Sequence, residues 1–125
     1  MYDRTNENAP DLTVENLTDL DAALAAGIAP ADIFAGWADL TGADLSGMDL
    51  RGIGLRGANL NDVDLSGADL RGADLNGATL HQANLELSDL RGADLRGADL
   101  WGANLEWADL TDVDLTGADL NGARR

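Results

Sequence analysis

The sequence predicts an all-β solenoid with a small α-helical cap at its N-terminus. Three observations carry this reading. Leucine stands at every fifth position without a gap over about two thirds of the chain, and glycine follows most of these leucines by two residues. The first 37 residues break that period and contain an alanine-rich, helix-forming stretch instead. The expected organisation is therefore an N-terminal segment, 1–37, followed by a single repeat domain, 38–123.

The periodic leucines are Leu40, Leu45, Leu50, Leu55, Leu60, Leu65, Leu70, Leu75, Leu80, Leu85, Leu90, Leu95, Leu100, Leu105, Leu110, Leu115 and Leu120, seventeen in all. Two residues before each sits a small or β-branched residue, mostly Ala, with Met48, Ile53, Val63, Ser88 and Val113 among the variants. The residue just before each Leu is usually Asp or Asn, with Gly54 and Thr79 as exceptions. A period of five fits neither an α-helix at 3.6 nor a strand at 2. On a helix, successive leucines would smear around every face, and each glycine would cost roughly 1 kcal/mol. The period works if every pentad is one side of a coil that turns at its end. The central Leu and the residue two before it then point inward, and the other three positions face out. Those leucines are the expected structural core.

The unit A-D-L-x-G, as in Ala68-Asp69-Leu70-Arg71-Gly72 and Ala93-Asp94-Leu95-Arg96-Gly97, resembles the consensus of the pentapeptide-repeat family. That resemblance implies a right-handed quadrilateral parallel β-helix with four pentads per coil. Seventeen pentads then make about four coils. At about 4.8 Å between stacked backbones the rod is roughly 20 Å long. Its interior is a ladder of Leu on Leu and Ala on Ala, which replaces the interlocking aromatic core that a chain with 4% aromatics lacks.

The N-terminal segment is expected to cover the first coil, which otherwise exposes an open β edge. Thr18-Asp19-Leu20-Asp21 resembles a capping box, Ala22 to Ala26 favours helix, and Gly27 followed by Pro30 supplies the stop. A helix is placed at about 18–26 with Leu17, Leu20 and Leu24 on its apolar side. A further turn from Pro30 to Ala35 presents Ile33 and Phe34 beside Met48 and Ile53. The rival reading of this helix is a partner-binding element.

Eight Arg, no Lys and 23 carboxylates give a formal charge of -15. That argues against direct nucleic-acid binding, which needs clustered cations, and makes a basic surface the natural partner. Cysteine is absent, and no stretch of about 18 apolar residues or apolar leader occurs. The chain is thus expected to be cytoplasmic and not in a membrane.

With four pentads per coil, residues twenty apart stack in columns. One face carries Arg51, Arg71 and Arg91, and the next carries Arg56 and Arg96. The faces built on Leu40 and Leu45 read as free of Arg and hold Asp39, Asp44, Asp62, Asp64, Glu86, Asp99, Glu106 and Asp119, a candidate acidic surface. The competing explanation is structural: Asp and Asn before a turn commonly bind backbone amides, which makes their charge incidental. Leu87 and Trp107 replace glycine at positions twenty apart, and His81 and Trp101 form another stacked pair. These four are expected to cluster on one corner as a candidate interface, the alternative being rings that fold back onto the rod. The chain stops at Arg124-Arg125 without a capping element, so a homodimer through the C-terminal end is a further expectation.

Catalytic, metal and cofactor sites are not expected. His81 has no second His or Cys to complete a metal site, and the glycines never form a phosphate-binding G-x-x-x-x-G-K-S/T loop. The repeated carboxylates lie on a convex, solvated wall rather than in a pocket. The function read from the sequence is a non-enzymatic protein-interaction or scaffold module that works through the acidic faces or the Trp corner. The alternative comes from the resemblance: some pentapeptide-repeat proteins are DNA mimics that bind DNA gyrase and protect it from quinolones.

Overall fold

The computed structural model describes residues 39–125. The expected cap, with its helix at 18–26 and the contacts of Ile33 and Phe34, lies outside them.

Each pentad is one side of a right-handed quadrilateral β-helix. The outward residue just before each Leu forms a parallel bridge with its equivalent twenty residues on: Asp49 with Asp69, Asp69 with Asp89, and so on to Asn104 with Arg124. The ladder alternates direction within one pentad. The Leu50 amide donates to the Asp69 carbonyl at 2.8 Å, and the Asp69 amide donates back to the Met48 carbonyl at 2.9 Å. With a third bond at the turn, where the Gly52 amide donates to the Arg71 carbonyl at 2.9 Å, these fix the register at twenty residues per coil.

Every side ends in a tight turn. The Ala73 amide donates to the Leu70 carbonyl at 3.0 Å across Arg71 and Gly72. Gly72 has φ +67° and Gly97 has φ +66°. A positive φ at the third turn position is the type II geometry that favours glycine, and it explains the glycine two residues after Leu.

Alternation within the three-residue side sends Leu and the residue two before it inward. Every periodic leucine from Leu40 to Leu105 is fully buried, as are the alanines stacked beside them. The last coil is looser, with Leu110, Leu115 and Leu120 only partly buried. Ser88 is a polar residue at an interior position, and its hydroxyl donates to the Leu85 carbonyl at 2.7 Å. Among the described residues no buried side-chain polar atom lacks a partner. The interior is therefore apolar columns plus one satisfied hydroxyl.

Leu75 is fully buried in the middle of the rod, whereas Leu115 is half-open. Leu75→Ala should lower the unfolding free energy by about 3 kcal/mol, and Leu115→Ala by clearly less. Urea denaturation of the two variants checks this, and equal losses would contradict the looser end coil.

Candidate interaction surfaces

The outward Asp or Asn of each pentad has a local task. Asp64 Oδ1 accepts the Ser66 amide at 3.0 Å and the Ser66 hydroxyl at 2.6 Å. Asp44, Asp109 and Asp114 do the same with Ser46, Thr111 and Thr116. Asn59, Asn84 and Asn104 accept the equivalent amide without a charge. Of the eight carboxylates assigned to the acidic faces, Asp39, Asp44, Asp64, Asp99 and Asp119 hold turns in this way. Asp62, Glu86 and Glu106 sit in the turns themselves.

The face built on Leu50 is an ion-pair ladder. Arg71 donates through Nε and Nη2 to both Asp69 oxygens at 2.9 and 2.6 Å, and its Nε also lies 3.6 Å from Asp89 in the next coil. Arg51 and Arg91 repeat the pattern, which links Asp49 to Asp109 along the rod. On the adjoining face Arg96 pairs with Asp94 at 2.7 Å and approaches Asp114 at 4.0 Å. The guanidinium beside each acid holds its carboxyl low: Asp89 and Asp94 are lowered to about 2, first by the hydrogen bond from Arg91 or Arg96. Asp39, Asp44, Asp109 and Asp114 are lowered chiefly by the hydroxyls of their turns.

The inter-coil ion pairs share one diagonal, eighteen residues in sequence. His81 Nε2 lies 2.5 Å from Asp99 Oδ2 on this diagonal. So does Arg124, 3.6 Å from Glu106. The latter pair corrects the expectation that the Leu40 and Leu45 faces are free of Arg. Residues 123–125 begin a further Leu45-type side, and Arg124 bridges to Asn104 there. Column spacing of twenty did not reveal the His81–Asp99 pair, whereas a spacing of eighteen does.

The expected single cluster of bulky groups is likewise corrected. His81 and Trp101 open the turns that follow Leu80 and Leu100, whereas Leu87 and Trp107 close the turns that follow Leu85 and Leu105. The two pairs occupy successive corners on either side of one face. Their environments differ too. Trp101 meets the His81 ring edge-on at 6.0 Å between centroids. Trp107 stands 80% exposed and Leu87 64% exposed. Both of these residues have positive φ, 62° and 61°, where a bulky side chain costs roughly 1 kcal/mol or more. A surface recess lined by Glu106, Trp107 and Arg125 adjoins this corner.

The family model for pentapeptide repeats (8 copies) matches residues 36–53, 53–92 and 88–124, the same stretch that forms the coils. The chain belongs to the pentapeptide-repeat family. No curated protein matches it significantly in sequence. Among solved structures, the pentapeptide repeat protein Rfr23 from the cyanobacterium Cyanothece 51142 is 37% identical with a TM-score of 0.71, over 74% of this chain and 64% of that one. A pentapeptide repeat protein from the Arabidopsis thaliana thylakoid lumen is 36% identical with a TM-score of 0.50, covering 70% and 64%. A trypsin-treated R167E form of QnrB1, a plasmid-mediated fluoroquinolone resistance protein, is 25% identical with a TM-score of 0.62, covering 69% and 42%. This pentapeptide-repeat chain thus spans less than two thirds of the length of each of these relatives. Among the described residues no His/Asp/Glu group is arranged to hold a metal, and no helix is long and apolar enough to cross a membrane.

The paired acids set an acid limit on stability. Asp89 and Asp94 have folded pKa values of about 2, below the unfolded value near 3.9. Their contribution is complete above about pH 4 and is lost as pH falls towards 2. Thermal unfolding should show the melting temperature falling over that window. Arg91→Gln/Arg96→Gln should flatten the fall, and an unchanged pH profile in that variant would sink the assignment.

Proposed function

We propose that this pentapeptide-repeat chain is a non-catalytic protein-interaction module that receives a basic partner on the faces built on Leu40 and Leu45. The observation that carries the reading is the unequal compensation of charge. Arg51, Arg71, Arg91 and Arg96 neutralise acids on the other two faces. On the acidic pair the only ion pair with an arginine among the described residues joins Arg124 to Glu106, while His81 hydrogen-bonds Asp99. A field of one sign on one side of a rod attracts and orients an oppositely charged surface. Catalysis plays no part in this reading, because each repeat offers a similar solvated carboxylate on a convex wall. The absence of cysteine suits the cytoplasm, which we take as the compartment.

The second reading is a DNA mimic that binds DNA gyrase, and two observations favour it. Residues 39–125 hold sixteen carboxylates against seven arginines. The fold also resembles that of QnrB1, a fluoroquinolone resistance protein. A rod of roughly 20 Å spans about six base pairs of a duplex carrying one charge per 1.7 Å. In this reading two copies join through their C-terminal ends to reach a longer footprint.

Both readings are tested with one variant. Asn already holds the turn at positions 59, 84 and 104. Replacing Asp39, Asp44, Asp64, Asp99 and Asp119 by Asn should therefore leave the circular dichroism spectrum intact while removing five charges. In a gyrase supercoiling assay the DNA-mimic reading expects inhibition by the wild type that is at least tenfold weaker in the variant. Full inhibition by the variant would refute the acidic-face mechanism, and none by the wild type would refute the mimic.

A further inference from the structure

His81 occupies the pentad position that Arg51, Arg71, Arg91 and Arg96 hold on the other two faces, and it reaches an acid on the same diagonal, Asp99. The arginines divide their donors between the Asp of their own coil and the Asp of the next, as Arg71 does with Asp69 and Asp89. His81 has Thr79 where they have the first of these, so its acidic contact lies wholly across the coils. Its backbone is held from the coil above: the His81 amide donates to Asn61 Oδ1 at 3.0 Å. Asp99 is anchored too, because Oδ1 accepts the Trp101 amide at 3.2 Å while Oδ2 meets the imidazole, and the Trp101 ring stands edge-on to His81. Where the other faces carry a permanent cation, the acidic surface thus carries the chain's single His, the side-chain type whose charge changes between pH 5 and 8.

The charged groups around this imidazole are acids. Asp99 is in contact, Asp119 follows it one coil on in the same column, Asp62 stands at the same corner one coil before Gln82, and Asp64 lies one coil up on the adjoining Leu45 face. Among the described residues no arginine occupies the columns of Thr79, His81 or Gln82. On the flanking faces Arg96 pairs with Asp94, and Arg124 with Glu106. Successive coils are about 4.8 Å apart, inside the screening length of about 8 Å at physiological ionic strength, so one added proton alters the field of the whole patch. Both partners are open to water, with 42% of the His81 side chain and 36% of the Asp99 side chain exposed, so the ring exchanges protons with solvent without local unfolding.

Resting on the reading of the Leu40 and Leu45 faces as the site of a basic partner, we propose that His81 regulates that site as a proton-operated charge switch. With the ring protonated, His81 and Asp99 form an inter-coil ion pair of the kind the arginines make, and the Leu40 face loses one net negative charge. With the ring neutral as the Nε2–H tautomer, Nε2 still donates to Asp99 Oδ2, so the geometry stays while the carboxylate charge returns to the face. The switch acts on the field of the surface rather than on the fold. A basic partner therefore binds more tightly as pH rises from about 5 to about 8. By reciprocity, its binding drives a proton from His81 into solvent.

The probe is an N-acetylated peptide of ten lysines, whose charge is constant over this range. Calorimetric titration at low salt should show it binding about threefold or more tighter at about pH 8 than at about pH 5.5. His81→Gln, a neutral donor, should bind with the alkaline affinity at both pH values, and His81→Arg, a permanent cation, with the acid affinity at both. Because the chain has a single His, its ring-proton resonances report its titration directly, and adding the peptide should move that midpoint to lower pH. A wild-type affinity that is flat with pH, an equal pH dependence in His81→Gln, or an unmoved midpoint overturns the switch. If the affinity is flat with pH yet lost when Asp39, Asp44, Asp64, Asp99 and Asp119 are replaced by Asn, the acidic faces stand as the site and the switch alone is refuted. A peptide that binds at neither pH refutes the acidic-face reading and the switch with it.

Discussion

The exterior of this protein is governed by the register of its backbone ladder. A Leu amide bonded to the coil above and the preceding amide bonded to the coil below hold residues twenty apart at one rung spacing. Nothing on the surface can leave that column. Any charge placed on one pentad meets its own repeat about 4.8 Å away, so a motif that favours Asp before Leu builds a like-charged stack by construction. The chain relieves this in two ways. On the Leu50 face each Arg sits between the Asp of its own coil and that of the next, so the column alternates in sign. On the Leu40 and Leu45 faces the stack is diluted with Asn59, Thr79, Asn84 and Asn104, although Asp44 still stacks on Asp64 and Asp99 on Asp119.

That difference separates the structural and functional meanings of the repeated Asp. Holding the turn requires only an oxygen acceptor, and Asn supplies it as well as Asp does. Charge on the acidic faces is therefore not demanded by the turn. Glu86 and Glu106 make the point more strongly, because they lie in the turn and accept no turn amide through their side chains; their own amides are bound by Asn84 and Asn104.

The core was legible because it uses one residue at one period, and alternation within a three-residue side decides which positions face inward. The surface was less legible because two different geometries were read with one rule. Columns at twenty place identical pentad positions together, yet side chains lean across the turn and meet at eighteen, as His81 meets Asp99 and Arg91 meets Asp109. The same omission put Trp101 and Trp107 on a single corner. They are six residues apart, but a complete side, Ala103-Asn104-Leu105, lies between their turns. Arg124 went unplaced because the last partial pentad had not been assigned to a face.

The corners then divide by what their non-glycine residues can tolerate. Asp62 and Asp112 enter left-handed backbone at little cost, since a short polar side chain suits that region. Gln82 gains a local contact: its amide lies so close to Gly102 that a Cβ at position 102 would fall 2.7 Å from Nε2. Trp101 is on an ordinary turn position and leans on His81. Leu87 and Trp107 stand at positive φ and stay largely exposed, and they recur one coil apart. A solenoid tests every corner against the same geometry many times over, so a residue that fails this test twice in one column stands out against its own repeats. Such internal comparison supplies a reference state within a single chain. Measured against it, the Leu87/Trp107 corner departs from the structural optimum in its left-handed backbone and in the exposure of both side chains.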